Sequence, residues 1–284
     1  MKLVVTGAAG LLGKGLVQVF REQHETVALT REDGDLTDAN RMRALLEEIR
    51  PEVIVHAAAM PDLDECEKNP ELAFRVNTEA TRSLAKIAQD LGARFAFIST
   101  DAVFDGMAKG PYVETDPVNP PSVYGRTKVA AEEAVRKYDR HNIFRVSVLF
   151  GPGKPNFVNK GLCKVWGKEQ YVVASDQLGS ATYTVDAART MLLVFRAGVN
   201  GTFHVCNQGA CTRYELARRA VELAGLDSSI VIGKPLAEIG RPGPRLTYAV
   251  MEMRALKEAG IALPREWQGA LAEYINTLVP PADK

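Results

Sequence analysis

One tyrosine in this chain stands four residues before a lysine, in Tyr124-Gly125-Arg126-Thr127-Lys128. On a helix that separation places both side chains on one face. An ammonium beside a phenol favours the phenolate, so Lys128 is expected to lower the Tyr124 pKa and make it a general acid or base near neutral pH. Eight tyrosines and 14 lysines give this single pair. It follows Ser99-Thr100-Asp101 by 24 residues, and Ser99 and Thr100 close an apolar strand-like run from Phe95 to Ile98. At such a strand end Ser99 and Thr100 can reach a carbonyl oxygen beside Tyr124. The chemistry implied is proton transfer to or from a carbonyl or alcohol oxygen.

A second constellation lies at the start of the chain. Gly7-Ala8-Ala9-Gly10-Leu11-Leu12-Gly13 follows the run Leu3-Val4-Val5-Thr6 and opens a helical pattern. Between a strand and a helix such glycines permit a tight turn, a close approach of backbone to a pyrophosphate, and close helix–strand packing. The helix start adds N–H groups and a positive dipole end. Gly7, Gly10, Leu11 and Leu12 are therefore candidate dinucleotide contacts. The second strand ends at Leu29-Thr30-Arg31. Arg31 suits a 2′-phosphate and favours NADP(H), with NAD(H) the alternative and a solvated surface arginine the plain reading. Asp35 and Leu36 follow where an adenine ring could be contacted.

The elements that must position these groups alternate. Strand-like runs at Leu3–Thr6, Thr26–Leu29, Val53–Val55, Phe95–Ile98 and Phe144–Leu149 are separated by helical patterns at Leu11–Phe20, Asp38–Ile49, Pro70–Leu91 and Ser122–Tyr138. Continuous apolar strands alternating with helices predict an α/β fold, a doubly wound parallel sheet of Rossmann type. The second half is less regular. It predicts a smaller, interleaved C-terminal substrate lobe from about 151–175 and 207–284, with 1–150 and about 176–206 forming the dinucleotide-binding domain.

Composition agrees with a globular chain: 284 residues, 46% hydrophobic, 25% charged, and 35 Lys+Arg against 35 Asp+Glu. Net zero charge argues against nucleic acid as a partner. No apolar run approaches the ~20 residues of a membrane helix, so no membrane role is expected. The four cysteines have no paired spacing and the four histidines no ligand spacing, so a reducing cytoplasm and no metal are expected. Residues 1–150 carry net −4 and residues 151–284 net +4, which makes the second half the better place to meet an anion.

The motifs together make the chain resemble an extended short-chain dehydrogenase/reductase, and within that group the dTDP-4-dehydrorhamnose reductase family. The matching pieces are the Gly7–Gly13 loop, His56-Ala57-Ala58-Ala59, Asp64-x-Cys66-Glu67, Val76-Asn77, Ser99-Thr100-Asp101-x-Val103-Phe104-Asp105-Gly106, Tyr112-x-Glu114, the Tyr124–Lys128 block and Asp176-Gln177-x-Gly179. They span nearly the whole chain. The resemblance implies reduction of a 4-keto deoxysugar carried on a nucleoside diphosphate, with hydride from a nicotinamide. Thr100 would hydrogen-bond the substrate carbonyl, Tyr124 would protonate it, and Lys128 would tune Tyr124 and hold the nicotinamide ribose. Ala57, Ala58, Ala59 and Ser99 would line the cofactor cleft. Asp101, Val103, Phe104 and Gln177 would meet the sugar, and Asn77 would tie elements together. Arg213, Arg241 and Arg245 are candidates for the substrate diphosphate, each with a solvated surface role as the alternative. A homodimer is compatible with this reading.

The chain departs from the family where aromatic residues are expected: Ala102 follows Ser-Thr-Asp in place of tyrosine, and Val148 stands in place of tryptophan. The C-terminal loop reads Arg241-Pro242-Gly243-Pro244-Arg245-Leu246. These departures keep two other readings open. One is a non-catalytic, cofactor-binding regulatory subunit like that of methionine adenosyltransferase. The other is a nucleotide-sugar epimerase or dehydratase.

Overall fold

The computed structural model describes residues 1–278. Strands β1 (Lys2–Thr6), β2 (Glu25–Leu29), β3 (Val53–His56), β4 (Arg94–Thr100), β5 (His141–Val146) and β6 (Gly201–His204) form one sheet. Their order is β6-β5-β4-β3-β1-β2 and every pairing is parallel. The chain leaves β1 to one side for β2, then crosses to the other side for β3. The switch point therefore lies between β1 and β3, and a doubly wound sheet opens its ligand crevice there.

Pleat alternation sends successive side chains to opposite faces. Leu3, Val5, Val53, Val55, Ala96 and Ile98 join the core that includes helix α1 (Leu11–Arg21). Val4, Ile54, Phe95 and Phe97 join the core on the other face with helix α2 (Ala39–Ile49). Both faces are covered, which is why these strands read as unbroken apolar runs. Asp38 caps α2 by accepting from the Arg41 amide at 3.0 Å, satisfying a first-turn donor.

The helical pattern over Pro70–Leu91 is one helical run in three parts. After the short α3 (Leu63–Lys68) come α4 (Pro70–Phe74), a π turn at Arg75–Glu79, and α5 (Ala80–Asp90). The π turn carries Asn77, whose side chain donates to Met60 O at 3.1 Å and to Thr127 Oγ1 at 3.0 Å and accepts from Met60 N at 2.7 Å. Asn77 thus fastens the segment after β3 to α6 (Val123–Val135), the helix bearing Tyr124 and Lys128. In the second half, α7 (Phe157–Trp166), α8 (Thr184–Ala197) and α9 (Arg213–Leu223) alternate with short strands. One of these, Leu178–Gly179, pairs with Cys211–Thr212 and with Tyr248–Ala249. That three-stranded patch stands over the C-terminal ends of the main strands, where it faces Thr100 and Tyr124 across a pocket.

Candidate active site

α6 starts close to the strand ends because Gly125 allows it. A Cβ on Gly125 would stand 2.2 Å from the Ala102 carbonyl oxygen, so only glycine lets the first turn of α6 lie against Asp101–Val103. Two further anchors hold that turn. Ser122 caps it by accepting from Gly125 N at 3.0 Å, and Glu67 accepts from Val123 N at 2.7 Å. Tyr124 is thereby delivered to the pocket wall that it shares with Thr100.

Thr100 is fully engaged. Its Oγ1 donates to Asp101 Oδ1 at 2.8 Å and accepts from Ala102 N at 3.1 Å. Asp101 accepts a second hydroxyl, that of Ser147, on Oδ2. Burial raises the Asp101 pKa, against the pull of Ser147, Thr100 and Arg213. Lys128 is buried one turn below Tyr124. Its Nζ donates to Ile98 O at 2.6 Å and stands 4.0 Å over the Phe97 ring, and burial lowers its pKa to about 7.

These facts correct one expectation. The Tyr124 phenol is not acidified in this structure; burial, with Asp101 next in order, pushes its pKa up. The Lys128 ammonium is turned to a carbonyl and an aromatic face, and desolvation of the phenol outweighs its field. A phenol held in its protonated form is suited to the acid role.

The pocket is lined by Thr100, Asp101, Ala102, Tyr124, Val148, Gln177, Arg213, Arg245 and Leu246, among others. Val148 is a β-branched residue at φ +36°, a strained conformation of the kind held at functional sites. Gln177 donates to Leu246 O at 3.1 Å, and its carbonyl accepts from Arg213 N at 3.1 Å. Arg213 stands 5.2 Å over the Phe157 ring and belongs to none of the ion pairs among the described residues. It is the cation of the pocket wall that is open to an anion.

Several expected contacts lie elsewhere. Val103 and Phe104 are fully buried and do not line the pocket. Phe104 stacks on Tyr112 at 4.0 Å, so these two are core. Ser99 points with Phe95 and Phe97 to the opposite face from Thr100, and its hydroxyl donates to buried Glu132 at 2.6 Å. Glu132 also takes a two-pronged bond from Arg145, at 2.9 and 2.8 Å. Arg241 is exposed and outside the pocket lining. Arg245 lines the pocket, but its charge is met by Asp64 through bonds of 2.6 and 2.9 Å, and Asp64 also accepts from Gly243 N at 2.8 Å. Ser147 and the Asp64 partner of Arg245 were not anticipated. Their signals were present only as a residue in the fifth strand run and a motif position without an assigned task.

At the switch point, Gly7 has φ +69° and a Cβ there would stand 2.5 Å from Ala58 N. The loop after β1 and the Ala57–Ala59 segment after β3 thus form a cradle with no room for a side chain at Gly7. α1 begins at Gly10 without a side-chain cap, leaving first-turn N–H groups, Leu11 and Leu12 among them, for a phosphate. Arg31 is exposed two residues beyond β2, Asp35 accepts from Thr37 N at 2.9 Å, and Leu36 is half-buried against the α2 side of the core. These residues fit a dinucleotide. Among the described residues no His/Cys/Asp/Glu group could hold a metal ion, and no helix is long and apolar enough to cross a membrane.

A parallel doubly wound sheet, a glycine cradle at its switch point, and a Thr, Tyr and Lys set at the end of the fourth strand define an extended short-chain dehydrogenase/reductase, a class of oxidoreductases. The RmlD substrate binding domain family matches residues 1–279. The dTDP-4-keto-6-deoxy-D-glucose reductase of Streptomyces niveus is 38% identical over 278 residues, covering 97% of this chain and 96% of that one. The spore coat polysaccharide biosynthesis protein SpsK of Bacillus subtilis is 37% identical over 277 residues, covering 97% of each. The crystal structure of dTDP-4-dehydrorhamnose reductase from Bacillus anthracis in complex with NADP superposes with a TM-score of 0.94 at 30% identity, covering 98% of this chain and 100% of that one. The chain belongs to the RmlD family, that of the dTDP-4-dehydrorhamnose reductases.

Proposed function

We propose that this chain is an NADPH-dependent reductase of a 4-keto-6-deoxysugar carried on a nucleoside diphosphate, a reductase of the dTDP-4-dehydrorhamnose type. The observation that carries the reading is Tyr124 and Thr100 lining one pocket beside the switch point, with Lys128 beneath. Gly7, Gly10, Leu11, Leu12 and Ala57–Ala59 would hold the dinucleotide, Arg31 its 2′-phosphate, and Lys128 the nicotinamide ribose. When bound, that cofactor supplies hydride to the substrate carbon.

Tyr124 donates the proton to the carbonyl oxygen. Thr100 orients Tyr124, and its own proton is committed to Asp101 unless the hydroxyl rotates. The lobe of about 151–175 and 207–284 would carry the sugar nucleotide with Arg213 at the diphosphate, and Gln177, from the adjoining segment, would meet the sugar. Ala102 and Val148 leave that wall without large aromatic side chains. The four free thiols suit a reducing, cytoplasmic setting.

The test is oxidation of NADPH with a panel of dTDP-, GDP-, UDP- and CDP-linked 4-keto sugars, run on wild type and on Tyr124→Phe. Turnover with one of them, lost in Tyr124→Phe while NADPH still binds, is the expected result. Equal turnover in the variant sinks the proposed role of Tyr124.

A further inference from the structure

We infer that His56 is a positioning residue for Tyr124, tying the dinucleotide cradle to the helix turn that carries the tyrosine through one buried file of hydrogen bonds. The inference rests on the reductase reading and deepens it. The file begins at Thr6, the last residue of β1 before Gly7, and crosses to His56, the last residue of β3 before Ala57. Thr6 Oγ1 and His56 Nδ1 stand 2.7 Å apart, and His56 Nε2 and Thr81 Oγ1 stand 3.1 Å apart. Thr81, near the start of α5, donates to the backbone oxygen of Asn77 at 2.7 Å. The Asn77 side chain donates to Thr127 Oγ1 at 3.0 Å, and Thr127 donates to the carbonyl oxygen of Tyr124 at 2.7 Å.

Proton counting fixes the direction of every bond. Thr81 has one hydroxyl proton, and a carbonyl oxygen can only accept, so that proton is spent on Asn77 O. Thr81 Oγ1 must then accept from His56, which makes Nε2 the protonated ring nitrogen. Burial lowers the His56 pKa to about 3, with the Lys128 charge next in order, so the ring is neutral and Nδ1 accepts from Thr6. Each group donates to the next from the cradle to Tyr124. Bonds aligned in this way polarise and strengthen one another.

The file is shut off from water: Thr6, His56, Asn77, Thr81 and Thr127 are each no more than 1% exposed. Apolar side chains of the same shapes would fill such places at little cost in stability. What the polar set adds is one fixed alignment of β1, β3, α5 and α6. The His56 ring is held in that alignment by Phe95 and Phe97, with centroids 6.0 and 6.1 Å away. Phe97 is also the ring beneath Lys128 Nζ, so the histidine abuts the seat of the lysine. Asn77 serves both halves of the file from within the π turn, a feature that often marks functional sites.

Removing His56 would leave a cavity between two phenyl rings, so the test is made at Thr81, which is outside the pocket lining. Thr81→Val keeps the shape and cuts the file, whereas Thr81→Ser keeps the hydroxyl. With NADPH and the keto sugar that wild type reduces, kcat of Thr81→Val is expected to fall about 10- to 100-fold, the scale of a displacement near 1 Å at reacting groups. NADPH affinity should hold at the wild-type value, because the Thr6–His56 bond survives the change. Thr81→Ser should restore kcat.

An unchanged kcat in Thr81→Val overturns the inference. So does a loss that Thr81→Ser shares, or one that NADPH affinity follows, since either marks a merely structural role. Two readouts are free of turnover. Nitrogen NMR at neutral pH should show His56 neutral and protonated on Nε2, and a ring protonated on Nδ1 overturns the file. The Tyr124 ring resonances, found by difference from Tyr124→Phe, should shift in Thr81→Val and return in Thr81→Ser, and unmoved resonances overturn the link to Tyr124. If wild type reduces no keto sugar, the reductase reading fails, and these spectra still decide the link from His56 to Tyr124.

Discussion

The Nζ of Lys128 donates to the carbonyl oxygen of Ile98 across 2.6 Å, on a strand next to the helix that carries Tyr124. That contact fixes the lysine under the pocket floor at the cost of burying an ammonium without a carboxylate within salt-bridge distance. Burial lowers its pKa from 10.5 to about 7, so below pH 7 the folded state holds a buried charge that the unfolded chain holds in water. Between about 7 and 10.5 the unfolded state binds more protons, so stability should rise with pH across that window. Lys128→Met should flatten this rise in denaturant titrations and melt higher than wild type at pH 7, while losing at least ~100-fold in kcat as the tyrosine loses its neighbour. A variant as pH-dependent as wild type between those limits would show that Lys128 is not the group responsible.

Gly125 sets the distance between α6 and the turn after β4, since a methyl group there would meet Ala102 O at 2.2 Å. Gly125→Ala must push the first turn of α6 outward and carry Tyr124 away from Thr100. A displacement of about 1 Å at reacting groups can cost roughly 100-fold in rate. We expect kcat to fall by that order and NADPH binding to persist, because the glycine cradle lies on other elements. Isothermal titration with NADPH beside steady-state kinetics separates the two. A parallel loss of cofactor affinity would count against the local account.

What could be read from the chain alone divides along the range of the interactions. The Gly7–Gly13 loop and the Tyr124–Lys128 pair are local patterns, and the strands before them set their place at the crevice. Ser99 and Thr100 show the limit. Both stand at one strand end, yet pleat parity sends Ser99 to Glu132 and Thr100 to the pocket that Tyr124 lines, and only the paired sheet reveals which is which. Val103 and Phe104 sit in a motif with chemistry but are spent on the core. Ser147 meets Asp101 across 46 residues and Arg245 meets Asp64 across 181, pairings that no local spacing encodes. Expected cations were therefore over-counted: of Arg213, Arg241 and Arg245, one is neutralised and one is outside the pocket lining.

The Asp64–Arg245 pair ties the C-terminal loop to α3, closing one side of the pocket. Asp64 also accepts from Gly243 N, and with Arg245 beside it its pKa falls from 3.8 to about 2. A carboxyl group with a depressed folded pKa gives stability that is present above 3.8 and lost as pH falls toward 2. Arg245→Ala should release the loop, raising KM for the sugar nucleotide several-fold with kcat at saturation little changed. Protease nicking near residues 240–246 should increase. If KM and nicking both stay at wild-type values, the clamp has no part in holding the pocket wall.

Arg31 decides the cofactor argument, because the cradle at Gly7 and Ala58 would suit either dinucleotide. It stands exposed beyond β2, and Asp35 lies close enough to both Arg31 and Arg75 to feel their charge. A 2′-phosphate gains a bidentate, charge-assisted contact from a guanidinium, whereas a ribose hydroxyl gains little. Removing one such contact at an exposed site should cost about 1.5–3 kcal/mol, or roughly 10- to 150-fold in affinity. Arg31→Ala should therefore weaken NADPH by that range and leave NADH almost untouched. Salt should narrow the wild-type preference in the same direction, since an exposed ion pair is screened. Fluorescence titration of both cofactors at two ionic strengths measures all four affinities, and an equal loss for NADH and NADPH would place the 2′-phosphate contact on another residue.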